Sequence, residues 1–295
     1  MRGIVIINGY PNGEKFFRQG ERIRAALQAE GIECDLMKNG EVCALLSERG
    51  EVQTPLAGQY DFAVYLDKDK YLGRMLESAG LRLFNSAHAI ETCDDKMLTY
   101  LALGKSGLRL ARTIPAPLCY TRGAKPSESF LKETAGKLGF PLVVKKSFGS
   151  FGVGVQLVHG MPELQKVAEE CLHEPHFFQE YISASCGRDI RVIVVGGRAI
   201  GCMERVAQAG EFRSNIELGG AGRKITPPQS YLLAAEQVAK TLGLDYCGVD
   251  LLETADGPVI CEVNSNAFFE GFEGVTGIDV AAAYAKHIAE KVTVL

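Results

Sequence analysis

The segment "CEVNSNAFFEGFEG", residues 261–274, closes an apolar run with a carboxylate and an amide two positions apart. Side chains alternate along a strand, so Glu262 and Asn264 share one face. Upstream, "GVDLLETADGPVICEVN" places Asp250 on the preceding apolar segment, and the Asp-Gly-Pro between the two is a turn signal. Folded as a hairpin, the segments bring Asp250, Glu262 and Asn264 to one face. Three hard oxygen donors there suit Mg²⁺, with phosphate oxygens and water completing its shell. The competing reading pairs the two acids with arginines in a network that only stabilises the fold.

Two other stretches carry chemistry. "PLVVKKSFGSFGVGVQLVHG" (141–160) reads as strand, glycine-rich turn, strand. Gly149, Gly152 and Gly154, with Ser150 among them, let successive backbone N–H groups come close to an anion. No helix follows and no G-K-[ST] occurs, so this is neither a Walker A nor a Rossmann loop. One of Lys145 and Lys146 must face inward, where an ammonium is tolerated only against a negative partner; Lys145 is assigned there and Lys146 to the solvated face. In "MERVAQAGEFRSN" (203–215), Arg205 and Arg213 bracket a polar turn and offer bidentate groups for phosphate or carboxylate, with Asn215 beside them.

The elements that must position these groups fall into two textures. "GIVIIN" (3–8), the amphipathic stretch after it, "DFAVYLD" (61–67) and "LRLFN" (81–85) alternate strand and helix, which predicts a parallel α/β layer to about residue 86. Its first loop, "NGYPNG" (8–13), lacks G-x-G-x-x-G and is read as an ordinary βα turn. A helix is predicted over about 93–105. Beyond it, "HFFQEYI" (176–182), "GRDIRVIVVGGRAIGCMERVA" (187–207) and the Asp250–Glu262 hairpin predict antiparallel strands, covered by helices near 162–172, 227–242 and 277–293. The whole reads as α/β followed by α+β.

Composition excludes several classes. A chain of 295 residues holds one large core or a few connected units. Its longest apolar runs fall far short of the roughly 18 to 20 residues that span a bilayer, and "MRGIVIINGY" lacks a secretory pattern, so the expected location is the cytosol, with no membrane partner. Nine cysteines without a C-x-x-C read as reduced thiols. A net charge of −4 with interspersed signs excludes a nucleic-acid surface.

Taken in order, Lys96 in "DDK", Lys145 in "LVVKKSFGSFGVGV", "QEY" at 179–181, "GRDIRVIVVGG", "GEFRSN", "GVDLL" and "CEVNSN" resemble the ATP-grasp superfamily, specifically its RimK-type carboxylate-amine ligases, from about Asn85 to His287. The resemblance implies an ATP-grasp fold with an N-terminal Rossmann-like pre-ATP-grasp domain (1–86). ATP is then held between a central subdomain (87–182) and a C-terminal one (183–295). It implies that Lys96 and Lys145 contact ATP phosphates under a mobile flap at 149–154. Gln179, Glu180, Tyr181 and Ile182 line the adenine, and Asp189 lies near the ribose. Arg205, Arg213, Ser214 and Asn215 surround the transferred phosphate. Asp250, Glu262 and Asn264 hold two Mg²⁺ ions, for which Mn²⁺ is the alternative.

The implied reaction is amide formation through an acyl phosphate, with release of ADP and phosphate. Departures from the RimK pattern bear on the substrate. "IELGG" (216–220) stands where many RimK-type ligases carry His-Arg before two glycines, and "NAFFEGFEG" replaces Ser-Pro-Gly. Together with "DYCGVDLL" this is closer to the N-acetylaspartylglutamate synthetase branch. The expected reaction joins glutamate or another amino acid to a small carboxylate, with Ala267, Phe268 and Phe269 walling a compact acceptor pocket. A D-alanine ligase-like or protein-tail-modifying ligase would keep the ATP site and change that pocket. A non-catalytic nucleotide-binding module would be expected to lose a metal ligand, and all three are present. A homo-oligomer is left open.

Overall fold

The β-branched run Ile4–Ile7 is buried on both sides, which a strand achieves only at the centre of a covered sheet. The computed structural model describes residues 1–10, 14–150, 152–214 and 219–293. Its first part runs β1 (Arg2–Ile7), α1 (Lys15–Ala29), β2 (Glu33–Lys38), the small ribbon β3 (Leu45–Leu46) and β4 (Val52–Gln53), β5 (Phe62–Leu66), α2 (Lys70–Ser78) and β6 (Arg82–Phe84). Four of these strands form a parallel sheet in the order β2-β1-β5-β6. Alternation sorts their side chains: Ile4 and Ile6 join Tyr65, Leu72 and Leu76 on one face, while Val5 and Ile7 join Ile23 and Leu27 of α1 on the other.

The middle of the chain holds α3 (Ala87–Asp94), α4 (Lys96–Leu103), β7 (Thr113–Pro115), α5 (Glu128–Leu138), β8 (Leu142–Lys146), β9 (Val155–Val158), α6 (Met161–Glu170) and β10 (His176–Glu180). The helix expected over 93–105 is two helices. Asp95 leaves helical geometry at φ −91°, ψ 107° and its carboxylate accepts from the N–H groups of Met97 and Leu98, so it caps α4. The glycine-rich segment joins β8 to β9 as the expected antiparallel hairpin, in a sheet ordered β7-β10-β8-β9. α5 was not foreseen, although Ser127 caps it by accepting from Phe130 N–H.

The last part comprises β11 (Arg188–Val195), β12 (Arg198–Val206), β13 (Ala221–Lys224), α7 (Gln229–Leu242), β14 (Tyr246–Leu252), β15 (Val259–Asn264), α8 (Glu270–Thr276) and α9 (Val280–Thr293). Five strands pair antiparallel in the order β13-β12-β11-β14-β15. α7 covers the face carrying Val192, Val194, Val249 and Leu251. Ile193 and Val195, on the opposite face, share one core with α8, α9 and the α1 side of the first sheet. β13 and α8 were not foreseen. β13 is short and carries no apolar alternation, and α8 (EGFEGVT) has two glycines and depends on burial of Phe272.

Asn85, directly after β6, joins the first sheet to the last. Its Nδ2 donates to the carbonyls of Tyr246 and Ser265 at 2.8 and 2.9 Å, and its Oδ1 accepts from Asp245 and Tyr246 N–H at 2.7 and 3.0 Å. The side chain is fully buried, so these backbone groups have no water to fall back on. Asn85→Ala is therefore expected to lower unfolding free energy by at least about 3 kcal/mol, read from urea denaturation.

Candidate active site

The carboxyl ends of β1 and β5 open onto a cavity of about 290 Å³. This is where α/β sheets commonly receive ligands. Asn8, Asp67 and Lys68 come from those strand ends, and Phe16 and Gln19 from α1. Across from them stand Lys96 at the start of α4, Gly149 and Ser150 of the hairpin turn, Arg191 of β11, Arg205 of β12, and Glu262 through Phe268 at the end of β15.

Behind the cavity wall lies a buried charge network set by strand register. Arg191 faces Asp250 across β11 and β14, and Asp189 faces Arg205 across β11 and β12. Arg191 donates from Nε and Nη2 to the two oxygens of Asp250, each at 2.7 Å. Arg205 Nη2 reaches the same carboxylate at 2.8 Å. Arg205 also donates to Asp189 at 2.7 and 2.5 Å, and Ser214 Oγ donates to Asp189 at 2.6 Å. Burial pushes the Asp250 carboxyl up, and Arg191 and Arg205 more than reverse that, holding it below its ordinary value. Burial would lower Arg205 in turn, but Asp250 and Asp189 hold it well above its ordinary value.

This arrangement departs from two expectations. Asp250 stands opposite Glu262 across β14 and β15, as the hairpin reading expects, but its side chain is 3 % exposed and both oxygens are taken by guanidiniums. These are the arginine pairs that the fold-stabilising reading expects of this residue. Asp189 likewise turns to Arg205 and Ser214, and makes no open carboxylate for a ribose. Glu262 and Asn264 do line the cavity. The Glu262 carboxylate is 26 % exposed beside Lys96 Nζ at 3.5 Å, and Asn264 Nδ2 is buried without a hydrogen-bond partner. These two hard oxygen donors fit a magnesium ion that takes its other ligands from phosphate and water. No cluster of three or more acidic, histidine or cysteine ligands forms among the described residues.

Cations tie down the hairpin turn. Lys96 Nζ donates to the Gly149 carbonyl at 2.7 Å, Lys68 Nζ to Ser150 Oγ at 3.2 Å, and Arg213 Nη1 to the Gly152 carbonyl at 3.0 Å. Arg213 is itself forked onto Glu211, whose carboxyl its hydrogen bonds hold down to about 2. Gly154 has φ +77°, and a Cβ there would lie 2.9 Å from the Lys146 side chain, so only glycine fits the turn. Lys146 points outward to Glu174 at 2.7 Å. Lys145 is buried with Cys261 Sγ at 3.9 Å, and no carboxylate among the described residues lies within salt-bridge distance.

Gln179, Glu180, Tyr181 and Ile182 lie on β10 and its exit, and none lines this cavity. Gln179 donates to Thr113 Oγ1 at 2.9 Å and Glu180 pairs with Arg112 Nε at 2.5 Å, so both side chains are engaged elsewhere. Asn215 lies outside the described residues, as do 216–218, 151 and 11–13. Of the expected acceptor wall, Phe268 faces the cavity, edge-on to Phe16 at 4.9 Å, with Lys15 Nζ 4.5 Å from its ring centre. Phe269 points the other way, into the core with Phe272 and Tyr284, and cannot line a pocket.

The sequence reading missed Arg191, Lys68, Asp67, Gln19 and Phe16. The arginine inside the apolar run "IRVIVV" and the terminal acid of "DFAVYLD" were the available signals.

A family model described as the RimK-like ATP-grasp domain matches residues 93–288. The chain is 38% identical to beta-citrylglutamate synthase B of Danio rerio over 227 residues, 76% of this chain and 55% of that protein. It is 36% identical to N-acetylaspartylglutamate synthase A of Homo sapiens over 227 residues, 76% of this chain and 56% of that protein. The chain thus spans little more than half the length of these relatives. Among solved structures, a RimK domain ATP-grasp protein from Sphaerobacter thermophilus superposes with a TM-score of 0.71 at 20% identity, covering 97% of this chain and 99% of that one. That likeness establishes the ATP-grasp fold.

The buried network generates a test with a definite sign. Asp250→Asn leaves two guanidiniums facing a neutral amide and is expected to cost about 3 to 5 kcal/mol at neutral pH. The Asp250 carboxyl titrates lower folded than unfolded. Its contribution is therefore complete above the unfolded value near ~3.9 and is lost as pH falls through the folded one. Denaturation of both proteins across pH should show the gap between them narrowing only in acid.

Proposed function

The chain belongs to the RimK-like ATP-grasp family, and from that membership we propose that it is an ATP-dependent ligase joining the amine of an amino acid to a small carboxylate. One observation carries the reading. Lys96, Arg205, Glu262, Asn264 and the turn residues Gly149 and Ser150, drawn from distant parts of the sequence, wall a single cavity. A cavity with two lysines, two arginines and a glycine turn suits a polyphosphate, and the carboxylate and amide suit its counter-ion.

The chemistry runs in two steps. A substrate carboxylate oxygen attacks the γ-phosphorus of ATP, ADP leaves, and an acyl phosphate forms. The amine nitrogen then attacks the acyl carbon, phosphate leaves with the C–O bonding pair, and the nitrogen loses its proton to give the amide. Arg205 faces the transferring group as a fixed cation, held in place by Asp250 and Asp189. Lys96 and Arg213 meet phosphate by exchanging the turn carbonyls they now hold, so the turn acts as the flap over the nucleotide and keeps water from the acyl phosphate. Glu262 and Asn264 would hold Mg²⁺, which neutralises charge on the phosphates. Lys145, buried with no carboxylate partner among the described residues, is completed by an anion. The unit up to residue 86 supplies the other wall of the substrate pocket, with Phe16 and Phe268 setting its size.

The relatives' names point to L-glutamate as the amine and to citrate or N-acetylaspartate as carboxylates to try first. Multiple-turnover ADP release should appear only when a carboxylate and an amine are both supplied. Glu262→Gln should abolish it, and Lys145→Ala should weaken ATP binding by about 1.5 to 3 kcal/mol in a titration. ADP release unchanged in Glu262→Gln, or ATP affinity unchanged in Lys145→Ala, contradicts the assignment. Faster modification of an intact protein tail than of any small carboxylate contradicts the substrate.

A further inference from the structure

The acids around the cavity are matched to cations with one exception. Asp94 pairs with Lys68 at 2.8 Å, Glu262 lies 3.5 Å from Lys96, and Asp250 behind them is held by two arginines. Asp67 has no cation within salt-bridge distance among the described residues, although it is only 4 % exposed. Its Oδ1 accepts from Asn8 Nδ2 at 3.0 Å and from Lys68 N–H at 2.6 Å. Its Oδ2 is buried with no hydrogen-bond partner. Gln19, also on the cavity wall, donates through Nε2 to the Ala267 carbonyl at 3.2 Å, and its Oε1 is buried without a partner too.

Two orphaned acceptors in one cavity wall, one of them charged, call for a donor that carries positive charge. They would repel a carboxylate or a phosphate; of the cavity's cations, Lys96, Arg191 and Arg205 are on other elements of the wall, and Lys68, next to Asp67, is turned to Asp94 and Ser150. We propose that Asp67, assisted by Gln19, receives the protonated primary amine of the second substrate. The assignment rests on the ligase reading and adds to it a residue outside the matched family domain.

Position supports the assignment. Asn266 Nδ2 donates to the main-chain carbonyl of Asp67 at 3.0 Å, and Gln19 is hydrogen-bonded to the next residue, Ala267. Both groups are therefore fixed to the segment that leaves Glu262 and Asn264. An ammonium held there lies beside the end of the cavity where the acyl phosphate forms, with the aromatic pair Phe16 and Phe268 next to it.

The test uses the full chain with saturating ATP and whichever carboxylate supports ADP release, and two nucleophiles: L-glutamate, and hydroxylamine, which is uncharged at neutral pH. Hydroxamate formation by the wild type shows that the acyl phosphate is made; its absence overturns the ligase reading and this one with it. In Asp67→Asn, the KM for glutamate should rise about tenfold or more, while the KM values for ATP and for hydroxylamine stay within about twofold. A folded Asp67→Asn protein with an unchanged glutamate KM overturns the proposal while leaving the ligase reading standing. Should that variant fail to fold, Gln19→Met decides. The expected result is a severalfold rise confined to the glutamate KM, and no rise overturns the proposal.

Discussion

The site depends on one buried carboxylate. Asp250 sits between the guanidiniums of Arg191 and Arg205, and without it two cations would face each other across neighbouring strands in a nearly dry interior. Removing water from such charges costs several kcal/mol each, and only close bidentate pairing offsets that cost. The pairing also does something hydrophobic packing could not. It fixes the direction of two flat, forked cations at the cavity wall, with Asp189 and Ser214 locking Arg205 from the other side. The arginines are therefore oriented before any ligand arrives, so electrostatic stabilisation of a transferring anion needs little reorganisation at the moment of reaction.

The hairpin turn is held by a different logic. Lys96 and Arg213 are bound to main-chain carbonyls of the turn, and Lys68 to a hydroxyl beside them. A neutral carbonyl is a weaker partner for an ammonium than a phosphate oxygen, so these contacts are exchangeable where the Asp250 pairs are not. Chain and ligand compete for the same cations. The turn lies against the cavity with its carbonyls on Lys96 and Arg213. Left-handed Gly152 and Gly154 make such a backbone accessible at low cost.

Much of this was legible in the sequence, and the failures share a cause. Continuous apolar runs bounded by glycines gave away the parallel sheet, and the turn at 149–154 announced its hairpin, because both signals are local. Asp250 was recognisable as an important acid. That its oxygens go to Arg191, 59 residues away, depends on the register of β11 against β14, which no local pattern encodes. The same holds for Phe268 and Phe269. Adjacent aromatics leaving a strand cannot both face the cavity, and which one does is set by the core that α8 and α9 build against Phe269. The helix expected over 93–105 divides for a simpler reason: an acid inside a helical pattern is also a cap, and here Asp95 starts a second helix.

The wall contributed by the first sheet poses a mechanical requirement. Asp67 and Gln19 belong to a unit whose strands never pair with those carrying Glu262 and Asn264, yet the two walls must keep a fixed separation for anything held between them to react. A packed apolar interface alone would let them slide by fractions of an ångström. Directional bonds prevent it: Asn85 clamps the backbone at Tyr246 and Ser265, Asn266 holds the Asp67 carbonyl, and Gln19 holds Ala267. Every one of these bonds ends on residues 245–267, the strand pair and exit that carry Glu262 and Asn264. The wall from the first sheet is thereby referenced by hydrogen bonds to the wall that carries Glu262 and Asn264, and the separation of the two is fixed by direction as well as by packing.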